Sequence, residues 1–228
     1  THPTPIAQVS NTCSRCCYGR GMQALQSSLF DTADSPTLGD LDRRHRRFLD
    51  ETAWLDLLPG WACGTDEVLA TLLHEVPWRS ERRQMYDAVV DVPRLQCFYG
   101  EGESLPHPLL TDMRERLSSH YAGELGEPFV TAGLCLYRDG ADSVAWHGDR
   151  IGRSREQDTM IAIVSLGSAR HLSLRPRDGG SSQRVSLGHG DLVVMGGACQ
   201  RTWDHAVPKT SAAVGPRVSI QFRVAGVR

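Results

Sequence analysis

From Phe129 onward the chain breaks into short apolar runs: 129–137, 143–149, 160–167, 171–175, 184–188, 191–196, 201–206 and 217–224. The runs are rich in Val, Ile, Leu and aromatics, and Gly, Asp and Pro divide them about every 8–12 residues. No helical pattern and no fixed-period repeat intervenes. Strands at this spacing, closed by turn residues, fit a double-sheet jelly roll, the double-stranded β-helix. The expected fold class is α+β, mostly β, with the jelly-roll core at about 129–224 and helices placed N-terminally.

Two helices are expected ahead of that core. Thr65 can cap the first, Asp66 and Glu67 suit its positive end, and Val68, Leu69, Leu72, Leu73 and Val76 share one face before Pro77 stops it. The second starts near Pro108, with Leu109, Leu110, Met113, Leu117 and Tyr121 on its apolar side and Gly123 near its end. Residues 1–45 read as a largely irregular arm that ends in the basic run Arg43, Arg44, Arg46 and Arg47, expected as solvated surface. Met22 would make a sensible translation start, leaving residues 1–21 as a non-native leader. The remainder, 46–228, reads as a single domain of a length that builds one good core.

Composition narrows the classes of function. No stretch approaches the ~18 apolar residues that cross a bilayer, and no basic-then-apolar segment opens the chain, so membrane and secretory readings are set aside. The seven cysteines are scattered, which points to a reducing cytoplasm rather than a disulfide framework. Cys13, Cys16 and Cys17 lack a second pair or a neighbouring His to complete a zinc site. The net charge of −2 hides an asymmetry, since residues 147–228 carry 12 basic and 6 acidic side chains. A basic C-terminal half permits an anionic partner without establishing one.

Two strands carry polar faces that ought to point inward. In 143–149, alternation puts Ser143, Ala145, His147 and Asp149 on one face, with Val144 and Trp146 on the other. In 217–224, Arg217, Ser219, Gln221 and Arg223 oppose Val218, Ile220, Phe222 and Val224. The apolar faces would be covered by the N-terminal helices, leaving two arginines inside the sandwich. That is costly unless an anion meets them, so an acidic ligand is expected there. His147 and Asp149 supply an imidazole and a carboxylate two residues apart, and His205 can add a third ligand from a facing strand. Two His and one carboxylate on one side of a metal leave the opposite positions open, the pattern of non-haem Fe(II) oxygenases. His189 falls in the turn Gly188-His189-Gly190 and has no such partner.

With these residues in hand, the chain resembles the AlkB family of Fe(II)- and 2-oxoglutarate-dependent dioxygenases, which repair alkylated nucleic acids. The resemblance runs from about Trp54 to Arg223. It rests on Val92-Pro93-Arg94-Leu95 with Tyr99-Gly100, on Leu136-Tyr137-Arg138, and on Asp142 through Asp149. It continues in Ile163 through Gly167, Leu187 through Leu192, Trp203 through Pro208, and Arg217 through Arg223. The resemblance implies Fe(II) on His147, Asp149 and His205. It implies Arg217 on the distal carboxylate of 2-oxoglutarate with help from Tyr137, and Arg223 at the proximal end, steadying Asp149.

By the same resemblance, residues 78–99 would form a nucleotide-recognition lid. A base inside a duplex must be flipped to reach the iron. Tyr86 is the expected stacking aromatic, with Trp78 as its rival, while Arg82, Arg83, Arg150, Arg153 and Arg155 could hold phosphates. Two departures stand out: Arg150-Ile151-Gly152 replaces acidic residues that read the base in many members, and Cys135 replaces an Asn. The implied activity is oxidative demethylation of 1-methyladenine- or 3-methylcytosine-type lesions in DNA, single-stranded or flipped, with O2, releasing formaldehyde, succinate and CO2. A monomer is expected. The rivals are an oxygenase acting on RNA or a small metabolite, and a non-enzymatic nucleic-acid-binding domain.

Overall fold

The computed structural model describes residues 35–85, 88–149 and 155–227, with the side chains of 81–85 and 88–92 left aside. Before the first helix come β1 (Thr37–Leu38), a short 3-10 turn (Leu41–Arg43), β2 (His45–Phe48), β3 (Ala53–Leu58) and β4 (Ala62–Cys63). After it the order is α1 (Asp66–Glu75), β5 (Arg79–Met85), β6 (Ala88–Tyr99) and α2 (Pro108–Leu125). The strands of the second half are β7 (Thr131–Tyr137), β8 (Val144–His147), β9 (Ile161–Gly167), β10 (Arg170–Pro176), β11 (Gln183–Leu187) and β12 (Asp191–Gly197). A short α3 (Cys199–Thr202), then β13 (Trp203–Val207) and β14 (Arg217–Arg223), complete the chain.

Two antiparallel sheets face each other. The large one runs β2-β3-β12-β9-β14-β7-β6-β5 and the small one β11-β10-β13-β8, while β1 and β4 pair apart. Each of the eight runs read from the sequence overlaps one strand, although the run 201–206 opens in the short helix α3, which the sequence pattern did not signal. Every residue of β7 is buried, as are all but the last of β9. Those strands are covered on both faces, so they carry no alternation.

The large sheet is covered on its outer face where alternation said it would be. α1 packs on β9 and β14, and Val218, Ile220, Phe222 and Val224 are fully buried. The same expectation fails for β8. Trp146 stays 37% exposed, and what lies over its ring is the Arg175 guanidinium, 4.5 Å from the centroid. β8 is the last strand of the small sheet, in the sheet opposite the β9 and β14 strands on which α1 packs.

Helix ends also differ in detail. Thr65 precedes α1, but its hydroxyl makes no cap bond; it lies 2.7 Å from His189 Nε2 instead. His189 Nδ1 accepts from the Gly167 amide at 2.9 Å, so Nε2 carries the proton and donates to Thr65. The turn histidine thus ties α1 to two strand ends. α2 begins at Pro108 as expected, with the His107 ring accepting from the Leu109 amide. It runs past Gly123 to Gly126, where a left-handed φ of 76° terminates it.

The stretch read as irregular contains β1, the 3-10 turn and the start of β2. Its basic run is more than solvated surface. Arg44 and Arg46 both bond the buried Asp56 carboxylate of β3, and Tyr121 of α2 donates to the same group. Arg46 also reaches Glu124 and lies 3.6 Å above the Trp54 ring. Among the described residues no helix is long and apolar enough to cross a membrane.

Candidate metal and 2-oxoglutarate site

A cleft of about 1360 Å³ opens between the sheets, with the polar face of β14 as its floor and β8 and β13 on the opposite side. His147 closes β8, Asp149 follows it by two residues, and His205 sits directly across on β13, where the strands register His205 to His147. One donor atom from each of these three lies within 4.8 Å of the others. The two imidazole centroids are 4.3 Å apart.

Local bonds orient the donor atoms toward one another. His147 Nδ1 is 2.8 Å from the Ala145 carbonyl and donates to it, which orients the ring so that Nε2 faces Asp149 Oδ1 at 3.5 Å. Arg223 takes the other carboxylate oxygen: Nε and Nη2 reach Oδ2 at 2.8 and 2.6 Å. The Asp149 amide donates to Gln200 Oε1 of α3 at 3.2 Å. One oxygen is therefore committed to arginine and the other turned toward the two histidines.

Charge states agree with that division. Burial would raise the Asp149 carboxyl, but the Arg223 guanidinium bonded to it outweighs burial and holds the group well below the usual carboxylate range. Burial pushes the His205 imidazole down to about 3. An anionic carboxylate beside a neutral imidazole is what a hard-to-borderline divalent cation requires of its ligands.

Arg217 anchors the far end of the floor. It is 2% exposed, its Nε donates to Ser165 Oγ at 2.8 Å, and its Nη1 is buried with no hydrogen-bond partner. Tyr137 stands opposite it in the β7–β14 register, and the guanidinium lies 5.2 Å from the tyrosine centroid. Burial pushes the Tyr137 hydroxyl up to about 12, so it keeps its proton as a donor. Burial also draws Arg217 below its ordinary value, yet a guanidinium remains a cation at neutral pH. A buried cation with an orphaned N–H costs several kcal/mol unless an anion meets it. The donor triad and this unmatched arginine are the fit expected of a divalent metal with a dicarboxylate chelator.

The other sequence candidates divide. Trp78 is half-buried, packs against the core and donates from Nε1 to the Leu72 carbonyl at 3.2 Å; it braces the end of α1 and is not brought into the cleft. Arg82 and Arg83 lie on β5, which with β6 forms the hairpin at one edge of the large sheet, and their side chains lie outside the described residues. Tyr86, Arg150 and Arg153 also lie outside them, together with Ile151 and Gly152. Arg155 is exposed. Sequence reading missed Ser165, the partner of Arg217, although it is the one polar residue in the apolar run of β9. It also missed Gln200, whose position in a short turn carries no pattern.

Comparison with known proteins gives a consistent picture. The sequence matches the family model of the 2OG-Fe(II) oxygenase superfamily over residues 64–223. It is 32% identical over 181 residues to the human protein named alpha-ketoglutarate-dependent dioxygenase alkB homolog 3, covering 69% of this chain and 60% of that protein. It is 29% identical over 177 residues to the human DNA oxidative demethylase ALKBH2, covering 69% of this chain and 67% of the other. The chain thus spans about 60% of the length of the alkB homolog 3 proteins it matches. Among solved structures, that titled OsALKBH1 superposes with a TM-score of 0.54 at 14% identity, over 78% of this chain and 100% of the other. A 2OG-Fe(II) oxygenase family protein from Burkholderia pseudomallei gives 0.52 at 12% identity, over 74% and 84%. At these identities the structural likeness speaks to the fold alone.

Proposed function

Since the chain belongs to the 2OG-Fe(II) oxygenase superfamily, and within it to the AlkB family, we propose that it is a dioxygenase that dealkylates nucleic-acid bases. The finer reading is oxidative removal of N-methyl groups of the 1-methyladenine or 3-methylcytosine type from DNA. The observation that carries the cofactor half is the pairing, in one cleft, of the His147–Asp149–His205 donors with the buried, unmatched Arg217. The substrate half rests on similarity to proteins named DNA oxidative demethylase.

Each residue has a definable part. His147 and His205 offer ring nitrogens, and Asp149 offers Oδ1 while Arg223 occupies Oδ2. Arg217 Nη1, with the Tyr137 hydroxyl, would bind the distal carboxylate of 2-oxoglutarate and set the direction in which its keto-acid end points. Bound together at such a site, Fe(II), 2-oxoglutarate and O2 supply a two-electron oxidation of a C–H bond, with succinate and CO2 as co-products. An N-methyl group so hydroxylated is a hemiaminal, and its C–N bond breaks to give formaldehyde and the unmodified base.

Incubating the protein with Fe(II), ascorbate, 2-oxoglutarate and oligonucleotides bearing 1-methyladenine or 3-methylcytosine should release formaldehyde and succinate in equal amounts. Succinate without formaldehyde would reject base repair and keep the oxygenase; neither product from folded, metal-loaded protein would reject both. Arg217→Ala should raise the KM for 2-oxoglutarate about 10- to 100-fold, the worth of a charge-assisted hydrogen bond. His147→Ala should abolish turnover.

A further inference from the structure

Between Ser219 and Arg223 on the cleft-facing row of β14 stands Gln221, to which the proposed chemistry gives no part. Both ends of its carboxamide are engaged. Oε1 accepts from Arg223 Nη2 at 2.9 Å, while Nε2 donates to Ser219 Oγ at 3.2 Å and to the Cys135 sulfur at 3.5 Å. The same sulfur accepts from Gln96 Nε2 at 3.6 Å. Turning the amide over would set its NH2 against the guanidinium, donor against donor, so the thiol and the arginine together dictate its orientation. Arg223 Nη2 is shared between this amide and Asp149 Oδ2. One chain of hydrogen bonds therefore runs from Cys135 on β7, through Gln221 and Arg223 on β14, to the carboxylate that follows β8.

We propose that Gln221, keyed by the Cys135 thiol, is a positioning residue. It holds the Arg223 guanidinium on Asp149 Oδ2 and so keeps Oδ1 turned toward the metal. The proposal rests on the metal reading given above. Without the amide oxygen, Nη2 has Asp149 as its remaining partner among the bonds described, and the guanidinium and carboxylate can swing together away from the histidines. A sulfur suits the keying position because it reaches two amide donors at 3.5 and 3.6 Å, distances at which a smaller hydroxyl oxygen would make no effective bond. Cys135→Ser is therefore not a silent replacement.

The test is the dissociation constant of Mn(II), read from the electron paramagnetic resonance of the free ion, on the full chain without co-substrate. Gln221→Leu should weaken Mn(II) binding about tenfold, the usual cost of removing a partner that orients a ligand, with the melting temperature little changed. Cys135→Ser should weaken it about two- to threefold by itself, and by nothing further on the Gln221→Leu background, because the thiol acts through the amide. A Gln221→Leu protein that binds Mn(II) within twofold of the unaltered chain would overturn the proposal. So would a Cys135→Ser loss that adds in full to that of Gln221→Leu. Should Gln221→Leu fail to fold, Gln221→Met keeps the chain length and removes the same bonds. If the unaltered chain does not bind Mn(II), or His147→Ala binds it equally well, the metal reading itself fails and the proposal with it; tight parental binding with indifferent Gln221 variants rejects this proposal alone.

Discussion

At position 133 a single methyl group would be too much. A Cβ built on Gly133 would stand 2.9 Å from Arg223 Nη1 and 3.5 Å from Gln221 Oε1, so the guanidinium that grips Asp149 would have to move. Gly133→Ala should lower kcat at least tenfold while shifting the melting temperature by only a few degrees, since the atom displaced is the end of a side chain. Steady-state kinetics beside a thermal melt would separate the two. Position 133 also marks where sequence reading runs out. His147, Asp149, Arg217 and Arg223 are legible because their strands alternate polar with apolar. Gly133 and Cys135 lie on β7, buried on both faces, so no period betrays which of its residues face the cleft.

One element owes its geometry to an ion pair the sequence does not announce. The turn between β7 and β8 is held by Asp142, whose carboxylate accepts from the Arg138 amide and from its guanidinium at 2.8 Å. Arg170, 5% exposed on β10, donates to the carbonyls of Asp139, Asp142 and Pro208, which joins this turn to the end of β13. Burial would raise the Asp142 carboxyl, but its bonds to Arg138 prevail and lower it. A carboxyl lowered in the folded state adds stability above its unfolded pKa, and that contribution is lost as pH falls through the folded value. The difference in urea midpoint between the unaltered chain and Asp142→Asn should therefore be constant from pH 7 to about 5, then shrink on acidification. A difference that grows toward low pH would contradict this account. Short apolar runs bounded by turn residues located the strands on either side; the ion pair is invisible in them because Arg138 and Asp142 fall in the turn, where no period applies. The same holds for Thr65, whose helix-capping signature was sound locally but lost to His189, 124 residues away.

At the scale of the whole molecule, the two sheets meet at the proposed metal donors. His205 and His147 belong to the small sheet and Arg223 to the large one, so the Arg223–Asp149 pair spans the cleft. β8, which carries His147 and leads into Asp149, has β13 as its single partner strand among the described residues, and that pairing shifts register between His205 and Val207. A strand so lightly fastened gains much of its persistence from whatever its histidine and aspartate hold. A bound cation would act there as the missing neighbour. Hydrogen–deuterium exchange across 143–149 should accordingly slow on adding Mn(II), while β9 and β14 in the middle of the large sheet keep the same protection throughout. A cell short of iron would then hold this protein as a folded body with one loosened edge, the place where a protease would cut first.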